Sequence, residues 1–226
     1  MIKDDPHQAL SQIVDQLKAH LQYQKALGIT AVFSQQKTKV PLSLDEIRRE
    51  MGECTRCRLH NGRHHLVFGE GNPRALLVFV GEAPGRDEDL QGQPFVGKAG
   101  ELLTRIIEAI SLTRKEVYIT NILKCRPPNN RDPKLDEIST CFPFLIKQLE
   151  TIKPKIICAL GTFAAQTILR TENKISSLRG FFHNYHDVML MPTYHPAFLL
   201  RNPQFKKHVW EDMKMIKAEY KKAKSI

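Results

Sequence analysis

The chain has 226 residues, 42% hydrophobic and 26% charged, with 34 Lys and Arg against 24 Asp and Glu for a net charge of +10. This composition suits one globular domain with extensions and excludes disorder of the whole chain. No apolar run approaches the roughly 18 residues of a membrane span, and Met1-Ile2-Lys3-Asp4-Asp5-Pro6 has no apolar signal core. The expectation is a soluble cytoplasmic protein without membrane contact. Its basic excess favours a polyanionic partner, nucleic acid first.

In chain order, residues 1–28 predict one amphipathic helix. Asp5-Pro6 opens it, Leu10, Ile13, Val14, Leu17 and Leu21 recur at helical spacing, and Gly28 stops it. Residues 29–42 read as a linker, so 1–42 forms an extension and 43–226 the main domain. The apolar stripe of the extension favours packing on the core over docking of a protein partner. Ser43-Leu44-Asp45-Glu46 is a capping box for a short helix ending near Gly52.

From residue 75 strands and helices alternate. Strands are expected at 76–80, 117–122, 156–160 and 188–191, and helices at 102–110, 135–149, 162–169 and 205–222. Repeated strand–helix units imply a parallel sheet covered on both faces. The strands run into Gly81-Glu82-Ala83-Pro84-Gly85, Asn121, Gly161 and Tyr194-His195-Pro196. Ligands of open parallel sheets bind at the carboxyl ends of the strands, which places one polar site there.

Five cysteines occur, at 54, 57, 125, 141 and 158. Cys54-Thr55-Arg56-Cys57 has a chelating spacing, and with Cys125 and Cys141 it makes a four-thiolate set for zinc or an iron–sulfur cluster. Spacing alone does not choose between them. Cys158, inside Ile156-Ile157-Cys158-Ala159-Leu160, reads as a core residue.

The turn after the first strand lacks both the dinucleotide fingerprint and the Walker lysine, which argues against a nucleotide cofactor. Its glycines let a backbone approach a small planar ligand. Phe95 is either a loop anchor or a stacking platform for a base. The Asn121 amide, one donor and one acceptor in a plane, matches the O4 and N3–H edge of uracil, whereas cytosine presents the reverse. His195 is either a satisfied structural imidazole or a donor to a leaving anion. Lys124, Arg126, Arg131 and Lys134 cluster around Pro127-Pro128-Asn129-Asn130, and residues 201–226 carry eight Lys and Arg, beginning with Arg201, against three acids. Each group is either a solvated surface or a phosphate-contacting one.

Taken together, Gly81-Glu82-Ala83-Pro84-Gly85 with Asp87-Glu88-Asp89, Gly92-Gln93-Pro94-Phe95-Val96-Gly97, Asn121 through Cys125-Arg126-Pro127-Pro128, and His195-Pro196-Ala197 resemble the family 4 uracil-DNA glycosylases. The resemblance covers about Cys54 to Trp210. It implies a three-layer α/β sandwich with a four-stranded parallel sheet between helices. It implies excision of uracil from single- or double-stranded DNA by a monomer, leaving an abasic site. By the same resemblance Cys54, Cys57, Cys125 and Cys141 hold a structural 4Fe-4S cluster. Phe95 stacks on the flipped uracil, Asn121 reads its edge, and His195 faces O2. Backbone around Gly81, Glu82 and Ala83 contacts the base and the attacking water, and Glu88 shields the pocket from thymine's methyl. Lys124, Arg126, Arg131 and Arg201 are then expected on DNA.

Ala83 stands where family 1 relatives carry a water-orienting aspartate. No strong general base is named, and catalysis is expected to rest on stabilising the uracil anion. A relative that traps uracil covalently would need a histidine in an inserted loop, and 124–133 has neither. A non-catalytic DNA-binding module would have no need for Asn121, Phe95 and His195 together.

Overall fold

A computed structural model describes residues 14, 15 and 42–225. The chain divides into two compact units, 1–40 and 41–226. In the first, Val14 and Asp15 are helical; the remainder of the expected helix and nearly all of the expected linker lie outside the described residues.

The second unit begins as the capping box requires. Helix α1 (Leu44–Met51) starts where Ser43 Oγ accepts from the Glu46 N–H at 3.2 Å and Glu46 Oε2 accepts from the Ser43 N–H at 2.7 Å. Gly52 closes it at φ 50°. Ile47 and Met51 pack on Phe68 and Phe144.

Among the described residues the sheet has six strands: β1 (Glu70–Gly71), β2 (Leu77–Gly81), β3 (Tyr118–Asn121), β4 (Ile156–Leu160), β5 (His183–Tyr185) and β6 (Val188–Thr193). Their order is β1-β3-β2-β4-β6-β5. The four expected strands are the parallel centre, and β1 and β5 add an antiparallel strand at each edge. The sheet is therefore mixed and six-stranded, not four-stranded and parallel. The edge strands are too short and too exposed to leave an alternating pattern. β5 and β6 are joined by His186-Asp187, both at positive φ (47° and 64°), a tight hairpin made without the usual glycine.

The further α-helices described in this unit are α2 (Arg86–Gln91), α3 (Lys98–Ala109), α4 (Leu135–Ile152), α5 (Thr162–Leu169), α6 (Ile175–Leu178), α7 (Pro196–Arg201) and α8 (Lys206–Lys224). Helices α2, α6 and α7 have six residues or fewer, too few to show a helical period. Strands β2 and β4 are buried throughout, as a sheet covered on both faces demands. Their alternating side chains feed two cores. Leu77, Phe79, Ile156 and Cys158 pack with α3, α7 and α8, while Val78, Val80, Ile157 and Ala159 pack with α4, α5 and α6. This is the expected three-layer arrangement, with Cys158 in its core. Pairing of Gly81 with Asn121, and of Leu160 with Thr193, brings the polar strand ends to one rim.

Candidate active site

Beyond their last paired residues β2 and β3 stay together, because Gly81 O accepts from the Ile122 N–H at 2.9 Å and Glu82 O from the Leu123 N–H at 3.0 Å. Gly81 thereby lies flat against two side chains. A Cβ there would collide with Asn121 Oδ1 and with the Phe95 ring, so only hydrogen fits. Asn121 is 1% exposed. Among the described residues its Oδ1 is the one buried side-chain polar atom without a hydrogen-bond partner. A buried acceptor left unpaired costs about 1–3 kcal/mol, so its persistence at the end of a parallel strand points to a ligand N–H.

Phe95 is buried and sits at φ 54°, a left-handed conformation unusual for an aromatic residue. The Arg114 guanidinium holds it there, donating to Pro94 O at 2.8 Å and to Phe95 O at 3.1 Å. Gly100 completes the clamp, since any Cβ at that position would overlap the Phe95 carbonyl. The Phe95 ring centroid lies 5.6 Å from that of His195, with 34° between the planes.

His195 caps α7: its Nδ1 accepts from the Ala197 N–H at 3.1 Å. That bond leaves the ring proton on Nε2. Burial pulls His195 down to about 4, and Arg201 acts in the same direction. The side chain is thus a neutral imidazole with one N–H free to donate. Glu82, one residue past Gly81, moves the other way. Burial raises it to about 7, and Asp132 adds to the rise. Ala83 contributes only its methyl, packed on the second core.

Glu88 is buried and its carboxylate accepts from the N–H groups of Gly85 (3.1 Å), Val96 (3.0 Å) and Gly97 (3.2 Å). It ties the Gly81–Gly85 turn to the Phe95 loop, so any steric effect on a base at this site passes through the loops that it joins.

Cys54, Cys57, Cys125 and Cys141 line one cavity with Met51 and Lys124. All are free thiols. Arg63 donates to the Cys54 carbonyl and, at 3.4 Å, to Cys125 Sγ; the Lys124 N–H donates to Cys141 Sγ at 3.3 Å. Burial pushes the Cys125 thiol up to about 11, with the Arg63 hydrogen bond opposing and Cys141 and Cys57 adding to the rise. The four cysteines thus share the wall of one cavity. Among the described residues no three His, Cys, Asp or Glu side chains are arranged around a single ion. Four cysteines on one cavity are the donor set that iron–sulfur clusters take.

The basic loop departs from expectation at two positions. Lys124 does not face DNA: it is 0% exposed, and its Nζ donates to Thr120 Oγ1 (2.6 Å), Asn121 O (2.8 Å) and Gln148 Oε1 (2.7 Å). Burial pulls it down to about 7, opposed by Cys141. Its charge was legible in the sequence but its direction was not, because the loop folds back under β3. Arg131 is only partly available, because both its terminal nitrogens are held by the buried Glu137, at 2.5 and 2.9 Å. Arg126 bonds Asn130 Oδ1 at 2.7 Å and remains partly exposed. Arg201 is exposed at the end of α7 beside the exposed Leu200.

The structure thus gathers Gly81, Phe95, Asn121 and His195 at one rim, with Glu82 directly following Gly81, and the four cysteines at a separate cavity reached through Lys124. Arg114 went unnoticed in the sequence, where nothing marks an arginine outside the motifs as a partner of the Phe95 loop.

Residues 68–214 match the uracil DNA glycosylase superfamily. The chain is 48% identical to the type-4 uracil-DNA glycosylase of Archaeoglobus fulgidus, over 77% of this chain and 92% of that protein. It is 45% identical to the Saccharolobus solfataricus enzyme of the same name, over 77% and 85%, and 41% identical to that of Thermotoga maritima, over 79% and 95%. Together with the motifs at the sheet rim, these likenesses place the chain in the uracil DNA glycosylase superfamily, among the type-4 uracil-DNA glycosylases.

Proposed function

We propose that the protein is a DNA-repair hydrolase that cleaves the N-glycosidic bond of deoxyuridine in DNA, releasing uracil and leaving an abasic site. The observation that carries this reading is the unpartnered, buried Asn121 Oδ1 beside Phe95. A uracil flipped out of the stack offers N3–H to that oxygen and O4 to the Asn121 amide N–H. Cytosine would bring an acceptor to Oδ1 and a donor to the amide, and both contacts would fail. Phe95 supplies a π-face for any base, so discrimination falls to Asn121.

Cleavage sends the C1′–N1 electron pair onto uracil, water then bonds C1′, and the proton that water loses neutralises the uracil anion. The neutral His195 Nε2–H is the donor available to O2, where negative charge develops. A donor that strengthens as charge develops acts on the transition state more than on bound substrate. Water meets the backbone around Glu82 and Ala83, where no carboxylate follows Glu82.

Cys54, Cys57, Cys125 and Cys141 would hold a 4Fe-4S cluster, whose contribution when bound is to cross-link the Cys54 segment to the loop after Asn121. Arg126 and Arg201 are the DNA-facing cations, with Arg131 a secondary one. We further read residues 1–42 as an extension to the 43–226 domain that is open to a protein partner, and the enzyme as a monomer acting on DNA in the cytoplasm. No described helix is long and apolar enough to cross a membrane.

The test is incubation with single- and double-stranded oligonucleotides carrying one uracil, followed by alkali. Breaks at uracil and none at cytosine or thymine are expected. Iron-loaded protein that binds the oligonucleotide and leaves uracil intact would overturn the reading.

A further inference from the structure

Lys124 is a buried lysine with every donor used, and it lies directly beneath the residue that reads the base. We propose that Lys124 is the positioning residue of Asn121, bolting the end of β3 to helix α4. This deepens the proposed function and rests on its reading of Asn121.

The need for such a bolt follows from the sheet. Asn121 is the last residue of β3, and on one side it is paired with Gly81 of β2. On the other side β1 covers only Tyr118 and Ile119. The Asn121 carbonyl has no strand partner there, and Lys124 Nζ supplies the donor at 2.8 Å. The other two contacts fix the ammonium itself. Thr120 gives its own hydroxyl proton to Phe68 O at 3.1 Å, so its oxygen accepts from Lys124. The Gln148 amide nitrogen donates to Phe68 O at 2.9 Å and to the Tyr118 hydroxyl at 3.3 Å, which turns its oxygen toward Lys124. Three acceptors meet the three protons of an ammonium, and no donor is left over.

Gln148 and Cys141 lie on the same helix, α4, and the backbone N–H of Lys124 donates to Cys141 Sγ. One residue therefore joins the reading amide, the helix and the wall of the cysteine cavity. A bidentate reading contact works only if the amide is held to a fraction of an ångström, and a strand end alone gives no such hold.

The test uses iron-loaded full-length protein. Lys124→Met leaves the Gln148 oxygen orphaned, so Lys124→Met/Gln148→Met is made to remove both partners. Melting temperature and visible absorbance of the cluster are recorded first, then equilibrium binding of radiolabelled uracil and single-turnover excision. The double variant should melt cooperatively, earlier than wild type because the Asn121 carbonyl loses its donor, and keep its absorbance, yet bind uracil about tenfold or more weakly, the loss expected when a bidentate base contact loosens. Wild-type uracil affinity in a folded double variant would overturn the inference. Should that variant fail to fold, Thr120→Val removes one acceptor alone, and unchanged affinity there would overturn it equally. Asn121→Ala separates the two levels. If it also binds uracil normally, the reading of Asn121 is wrong. If it alone loses binding, that reading stands and the role of Lys124 falls.

Discussion

His195→Ala tests the proposed chemical step. The Ala197 N–H occupies Nδ1, and burial draws the ring down to about 4, so from about pH 5 to 8 the side chain is a neutral donor through Nε2. Removing one donor aimed at a developing oxyanion costs about 2.7–4 kcal/mol, or roughly 10²–10³ in rate. The same substitution removes the cap of α7, worth about 1 kcal/mol of stability. His195→Asn separates the two effects, because Asn can cap Ala197 through its carbonyl but is too short to reach O2. Both variants should lose two to three decades in single-turnover excision at saturating enzyme, with affinity for uracil-DNA nearly unchanged, and only the Ala variant should melt early. His195 should contribute no step to the rate near pH 6.5, the usual histidine range, because the ring stays neutral there, so any step near pH 7 should vanish in Glu82→Gln. If Glu82→Gln abolishes excision while His195→Ala stays near wild type, water activation carries the reaction and this mechanism is wrong.

Glu82→Gln has its own stability signature. Its folded value of about 7 lies above the ordinary 4.5, so the folded state holds the proton longer, and the wild type loses stability as pH rises from about 4.5 to 7. The variant should therefore be more stable at pH 8 by up to about 3 kcal/mol and no more stable at pH 4, as urea melts at both values will show. Arg114→Met should leave the Pro94 and Phe95 carbonyls without their donor, lowering stability by about 1–3 kcal/mol and slowing excision as Phe95 drifts from its left-handed conformation; a wild-type single-turnover rate would show that the clamp is dispensable. Arg126→Glu should weaken binding to all duplex sequences alike and reduce the log–log salt slope by roughly 0.9, and an unchanged slope would turn that loop away from DNA. Anaerobically purified protein should contain iron and sulfide, which metal analysis checks; stoichiometric zinc without iron from iron-replete cells would refute the cluster.

Much of the site was legible because it is written in local chemistry. Glycines at a strand end, a planar amide, an aromatic residue in a Gly/Pro loop and an imidazole before proline each declare what they can do, and apolar runs located the four central strands to within two residues. The capping box at Ser43 was readable for the same reason, since its two hydrogen bonds span only three residues. Three things had no local signature. The edge strands owe their existence to neighbours: β1 pairs with β3 across more than forty residues of chain. Glu88 ties the Gly81–Gly85 turn to the Phe95 loop through the Val96 and Gly97 N–H groups, partners that every residue carries and no motif marks. Lys124 looked like its exposed basic neighbours, and only the fold shows it turned inward onto Thr120, Asn121 and Gln148. A side chain's chemistry is a property of its own atoms and survives in the sequence. Its direction is set by partners far along the chain, which come together only when the sheet and α4 are assembled.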